Sequence, residues 1–130
     1  MKPDEILIVK TAPGFTPEPS WWRFCVKTDG SFEYEKSWWS EKSGENSQTK
    51  TGKLGKKELA RIKAIIPALD EVELDGFIIE DAGSCIIDYR RADKTTGSVE
   101  QHGEPIDDDA EKDSFEAAWI SIKQIMAGHL

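Results

Sequence analysis

The chain has 130 residues and a mass of 14.6 kDa, a length that suits a single domain over residues 1–130 and leaves too little for two. Hydrophobic residues make up 38%, and five Trp, five Phe and two Tyr supply large apolar bodies, which excludes a wholly disordered chain. The formal charge of −8 removes any general attraction to nucleic acid or to anionic membranes.

That charge is unevenly spread. Residues 41–69 carry 7 basic and 3 acidic side chains, whereas residues 70–116 carry 4 basic and 16 acidic. Either this is a solvated acidic surface with one basic strip, or it is a docking surface for a basic partner. The start, Met1-Lys2-Pro3-Asp4-Glu5, is not that of a signal peptide, and the apolar run Ile6 to Val9 is too short for one. No run approaches the ~20 apolar residues of a membrane span. Cys25 and Cys85 are too few for a disulfide framework and read as reduced thiols of a cytoplasmic protein, with a bridge between them as the alternative.

In chain order, residues 5–11 read as a strand that is apolar on both sides, as expected of a strand covered on both faces. Pro13, Gly14, Pro17 and Pro19 break the pattern into a loop. Residues 20–27 and 31–39 then form a hairpin. A two-residue Asp-Gly loop would set Val26 and Phe24 opposite Glu33 and Glu35. A three-residue loop, Thr28-Asp29-Gly30, pairs Val26 with Phe32, Phe24 with Tyr34 and Trp22 with Lys36. Register follows the hydrophobic face, so the longer loop is expected, with Gly30 in the left-handed region.

Residues 40–53 contain no apolar side chain. They read as a turn over 43–46 and a short edge strand over 48–51, or else as a disordered loop. Leu59, Ile62, Ile65 and Ile66 have helical spacing, and Pro67 is expected to end that helix near Ile66. Lys57 and Arg61 share its outer face. Asp75-Gly76 and residues 81–83 are turn signals around a short strand over 77–80. Residues 84–91 form a strand with Cys85, Ile87 and Tyr89 on one face and Ile86 and Asp88 on the other. Residues 93–97 close a hairpin onto 98–101. A last helix, about 109–127, carries Phe115, Trp119, Ile122 and Met126 on one stripe, with Gly128 placed as a C′ glycine.

Signals for chemistry are few. His102 and His129 lack the spacing of a zinc site and read as surface histidines. Asp107, Asp109 and Glu111 have the alternation of a calcium loop, but Lys112 stands where the turn needs Gly and Ala118 where a bidentate Glu belongs. Helix initiation, with Asp108 as cap and Glu111 three residues on, accounts for these acids. Glu33 and Glu35 lie two apart on one strand face with Arg23 beside them, which suits an ionised surface pair better than a general acid. No metal or cofactor is expected.

The tryptophan pairs say most. Adjacent residues on a strand point to opposite faces. Trp22 and Trp38 share the face of Phe24, Val26, Phe32 and Tyr34 and are expected in the core. Trp21 and Trp39 then fall on the other face, with Arg23 and Glu35. An aromatic pair among charges marks a recognition surface, unless a loop or helix covers that face.

The stretch Trp22-Arg-Phe-Cys-Val-Lys-Thr-Asp-Gly-Ser-Phe-Glu-Tyr34, followed by Gly52-Lys-Leu-Gly-Lys-Lys-Glu-Leu-Ala-Arg-Ile62 and by a hairpin and terminal helix, is similar to small bacterial α+β modules and resembles emfourin-type protease-inhibitor modules. The resemblance covers most of the chain as an order of elements. It implies a non-enzymatic binding or inhibitory role and assigns no residue. The expected fold is α+β, a mostly antiparallel sheet of five to seven strands with two helices packed on one face. The expected function is a protein-binding module that meets its partner at Trp21, Trp39, Arg23 and Glu35. An enzyme with carboxylates gathered from distant positions and a purely structural subunit are the alternatives.

Overall fold

A computed structural model describes residues 1–12, 19–70, 83–102 and 115–129. Six strands form one antiparallel sheet: β1 (Glu5–Ala12), β2 (Ser20–Lys27), β3 (Ser31–Ser40), β4 (Gly44–Lys53), β5 (Ser84–Arg90) and β6 (Thr96–His102). Their order across the sheet is β4-β3-β2-β1-β5-β6. Two helices, α1 (Lys56–Leu69) and α2 (Phe115–Ala127), contribute to a single core with one face of the sheet. The fold is α+β, as the patterning predicts. The expected strand over 77–80, the turns around it, the loop after Ala12 and the acidic stretch 107–113 lie outside the described residues.

The β2–β3 hairpin has the predicted register. Val26 stands opposite Phe32, Phe24 opposite Tyr34 and Trp22 opposite Lys36. Gly30 has φ +89°, and its N–H donates to the Lys27 carbonyl at 3.0 Å. The Asp29 carboxylate accepts from the Ser31 N–H at 2.9 Å. Turn chemistry and the apolar face therefore select the same pairing.

β4 is longer than expected. It runs ten residues along β3 although no side chain in it is buried. Backbone pairing and one close approach hold it there. Gly52 lies opposite Phe32, and a Cβ at Gly52 would sit 2.7 Å from the Phe32 ring. On the far edge, Gly97 of β6 faces Tyr89 of β5 in the same way, at 2.6 Å. Each edge strand thus has a glycine that its neighbour's aromatic ring approaches closely.

α1 starts at Gly55, whose N–H donates to the Glu58 carboxylate at 2.9 Å. It does not end before Pro67. Pro67 sits inside the last turn on the exposed side, and the helix continues to Leu69, which is only 1% exposed. Burial of Leu69 beside Ile62 and Ile66 outweighs the hydrogen bond that proline cannot donate. Arg61 does not form a free basic strip with Lys57. Its Nη2 donates to Gln124 Oε1 of α2 at 2.8 Å. Gly128 does not take the left-handed cap conformation. The end of α2 tightens instead, with Gly128 N–H to the Ile125 carbonyl and His129 N–H to the Met126 carbonyl.

A bulge in β1 between Glu5 and Leu7 turns Ile6, Leu7 and Val9 towards the helices and leaves Glu5 and Ile8 on the opposite face. β1 is therefore apolar on both sides, but the two described helices lie against only one of them. Ile8, 6% exposed, is flanked by Cys25 and Asp88 on the neighbouring strands.

Candidate functional site

The face opposite the two described helices carries a polar centre and an aromatic end. At the centre Glu5 is 3% exposed. Its carboxylate accepts from the Cys25 thiol at 2.9 Å and from the Lys2 N–H at 2.6 Å, and it lies 3.6 Å from an Arg23 guanidinium nitrogen. Burial pushes the Glu5 carboxyl up, but these partners outweigh it and hold the pKa below its ordinary value. The same arrangement pushes the Cys25 thiol up to about 12, first through burial and then through Glu5. Cys85 belongs to the core on the other face. A Cys25–Cys85 bridge is excluded by this geometry, and neither residue forms a disulfide.

Arg23 and Glu35 stand opposite each other in register. The ion pair of Arg23, however, goes to Glu5. Glu33 is bound by Lys27 at 3.4 Å. Glu35 is exposed and has no ion pair among the described residues. The bulge that turns Glu5 onto this face redirects the arginine, and no sequence periodicity reveals it.

At the end of the sheet, Trp21 stands opposite Ser37 and Trp39 opposite Glu45. The Trp39 N–H donates to the Pro19 carbonyl at 3.0 Å. Pro19, Trp21, Trp39 and Glu45 line a recess of about 410 Å³. Trp39 is 42% exposed, and Trp21 is half-buried. No described helix or strand packs over them.

The other two sheet tryptophans divide. Trp22 packs on the core, its ring centroid 5.3 Å from Trp119 and with Lys123 Nζ 5.0 Å above it. Trp38 is not a core residue. It is half-buried outside the core cluster, lines the same recess as Trp39, and lies 5.9 Å from Lys36 Nζ. The alternation on β3 is as expected, but the core does not extend as far along that strand as Trp38.

His129 is not simply a surface residue. Its Nε2 lies 2.8 and 2.9 Å from the two Glu58 carboxylate oxygens, and its ring meets Phe32 edge-on at 5.2 Å. Among the described residues no group of three His, Cys, Asp or Glu side chains is placed to hold a metal ion, and no helix is long and apolar enough to cross a membrane. Compared with protein-family models and with curated proteins, the chain matches none of either.

Proposed function

We propose that this chain is a protein-binding module of the inhibitory kind that its resemblance to emfourin-type modules implies, acting in the cytoplasm without nucleic acid or membrane as partner. It engages its protein partner with Trp21 and Trp39, and Arg23 and Glu35 flank them. The observation that carries this reading is Trp39, 42% exposed beside Trp21 on the face opposite both helices. Exposed aromatic area of this kind adds nothing to folding and anchors interfaces well.

The enzyme alternative asks for carboxylates whose pKa is raised in a pocket. Among the described residues Glu5, Asp29, Glu58, Asp70 and Asp93 are all shifted, and all downwards. Each has a structural donor close by, which supports binding over general-acid chemistry.

Thermal melts of Trp21→Ala and Trp39→Ala, paired with capture of the natural partner from the source organism's lysate, test the reading. Trp39→Ala should change stability by no more than about 0.5 kcal/mol and the half-buried Trp21→Ala by about 1 kcal/mol. Both should weaken partner binding by about 2 kcal/mol or more, while Lys57→Glu on α1 leaves it intact. A large loss of stability in both tryptophan variants would make this face structural and remove the binding role.

A further inference from the structure

A second recess lies at the opposite end of the sheet, on the helix side. It has a volume of about 500 Å³, within the range of small-molecule sites. Its floor is apolar, made by Pro3 and Ile6 before and within β1 and by Ile66 and Pro67 of α1. Its rim is basic, made by Lys63 of α1 and by Arg90, Arg91 and Lys94 at the β5–β6 hairpin. Four cations around one apolar hollow stand out in a chain of net charge −8.

The four cations are not equally engaged. Arg91 is taken up by Asp70, with Nη2 2.9 Å from Oδ1 and Nε donating to both carboxylate oxygens. Lys63, Arg90 and Lys94 have no ion pair among the described residues. Arg90 is nevertheless fixed in place. Its Nε, Nη1 and Nη2 donate to the carbonyls of Glu5, Lys94 and Lys2 at 3.0, 3.0 and 2.9 Å. Neutral carbonyls orient the guanidinium, and no carboxylate among the described residues pairs with its charge. Lys94 is the only non-glycine residue with positive φ among the described residues, at 72°. Its backbone is held by the Arg91 carbonyl and by Arg90. A strained residue on the rim of a hollow, kept there by its neighbours, is a feature of binding sites.

We propose that this recess binds a small amphipathic anion, a carboxylate or sulfonate on a linear apolar body of about ten carbon atoms. The apolar body would lie on Ile6 and Ile66, and the anionic head would meet Arg90 with Lys63 and Lys94. Because three carbonyls already orient Arg90, its own ordering costs little on binding. The inference is independent of the tryptophan face, which lies at the other end of the strands.

The test is titration of the full chain with decanoate below its micelle concentration, followed by backbone amide NMR. The expected result is a saturable one-to-one transition with shifts at Ile6, Ile66, Arg90 and Lys94. Decanol should bind at least tenfold more weakly. The double variant Lys63→Glu, Lys94→Glu, altered only at exposed side chains, should lose at least tenfold in affinity while melting like wild type. Lys57→Glu should bind decanoate unchanged. Absence of a saturable transition, whatever fills the recess, overturns the proposal. So do equal binding of decanol, unchanged affinity in the double variant, or shifts confined to the Trp21 and Trp39 end.

Discussion

The carboxylate of Glu58, in the first turn of α1, meets Nε2 of His129, just past the end of α2, at 2.8 Å. The same carboxylate accepts the Gly55 N–H, so one side chain both caps α1 and fastens the C-terminal end of the chain to it. The Gly55 hydrogen bond and then His129 hold the Glu58 pKa below its ordinary 4.5. A depressed carboxylate stabilises the fold above its unfolded pKa and loses that contribution as the pH falls through the folded value. Glu58→Gln should therefore cost about 1 kcal/mol at pH 7 and make the melting temperature less sensitive to pH below about 4.5. Melts of both proteins from pH 3 to 7 measure this, and parallel curves would contradict it.

Gly30 is a turn position whose conformation disfavours a side chain. Its φ is +89°, and a Cβ would stand 3.4 Å from Leu59 Cδ2. Its carbonyl also accepts the Leu54 N–H at 2.8 Å, which leads the chain into α1. Gly30→Val should destabilise by about 1–3 kcal/mol. Gly30→Asn should cost less, because asparagine tolerates the left-handed region. Denaturant melts of the two variants should separate in that order.

Gly52→Ala and Gly97→Ala should each destabilise by about 1–3 kcal/mol through overpacking. The added methyl would meet the Phe32 ring in one case and the Tyr89 ring and Arg91 Nη2 in the other. Neither glycine has a positive φ, so the cost comes from the neighbouring ring and not from the backbone. The two sites lie on opposite edges of the sheet, and the double variant should show the sum of the two losses in a denaturant melt.

Cys25 should resist alkylation by iodoacetamide at pH 8 in the native protein and react once the chain is unfolded. Its pKa near 12, raised from 9.0 by burial and by Glu5, leaves almost no thiolate. A raised acid favours the fold while it stays protonated, so this contribution is present below 9.0 and is lost as the pH rises towards about 12. Glu5→Gln should make the thiol more reactive, as read by mass spectrometry of the labelled chain. Equal labelling of native Glu5→Gln and wild type would show that burial alone protects it.

The sequence makes some of these features legible because one physical rule decides them. Pairing Val26 with Phe32 is the only hairpin register that keeps apolar residues on one face, and the Asp29-Gly30 turn agrees with it. β4 is only half legible. It buries no side chain, so periodicity has nothing to act on, and its length follows from backbone pairing with β3. Pro67 misleads because the local cost of proline is visible in the sequence, whereas the burial of Leu69 is not. At the aromatic face, alternation correctly separates Trp21 and Trp39 from Trp22. It cannot show how far along β3 the core extends, and so it places Trp38 in the core. The ion pair from Arg23 to Glu5 depends on a bulge, which shifts parity without leaving a mark in the pattern.

β1, near the start of the chain, lies in the middle of the sheet, between β2 and β5. Its pairing with β2 is local, but Leu7 meets Tyr89 only across most of the chain. The β1-to-β4 meander can therefore assemble while the ribosome is still adding residues, whereas one flank of β1 stays without its neighbour until β5 has been made. The β5–β6 hairpin must then close onto that waiting edge, a long-range step of the kind that slows folding. During synthesis the exposed flank of β1 would be an unpaired apolar strand edge, open to pairing with other chains.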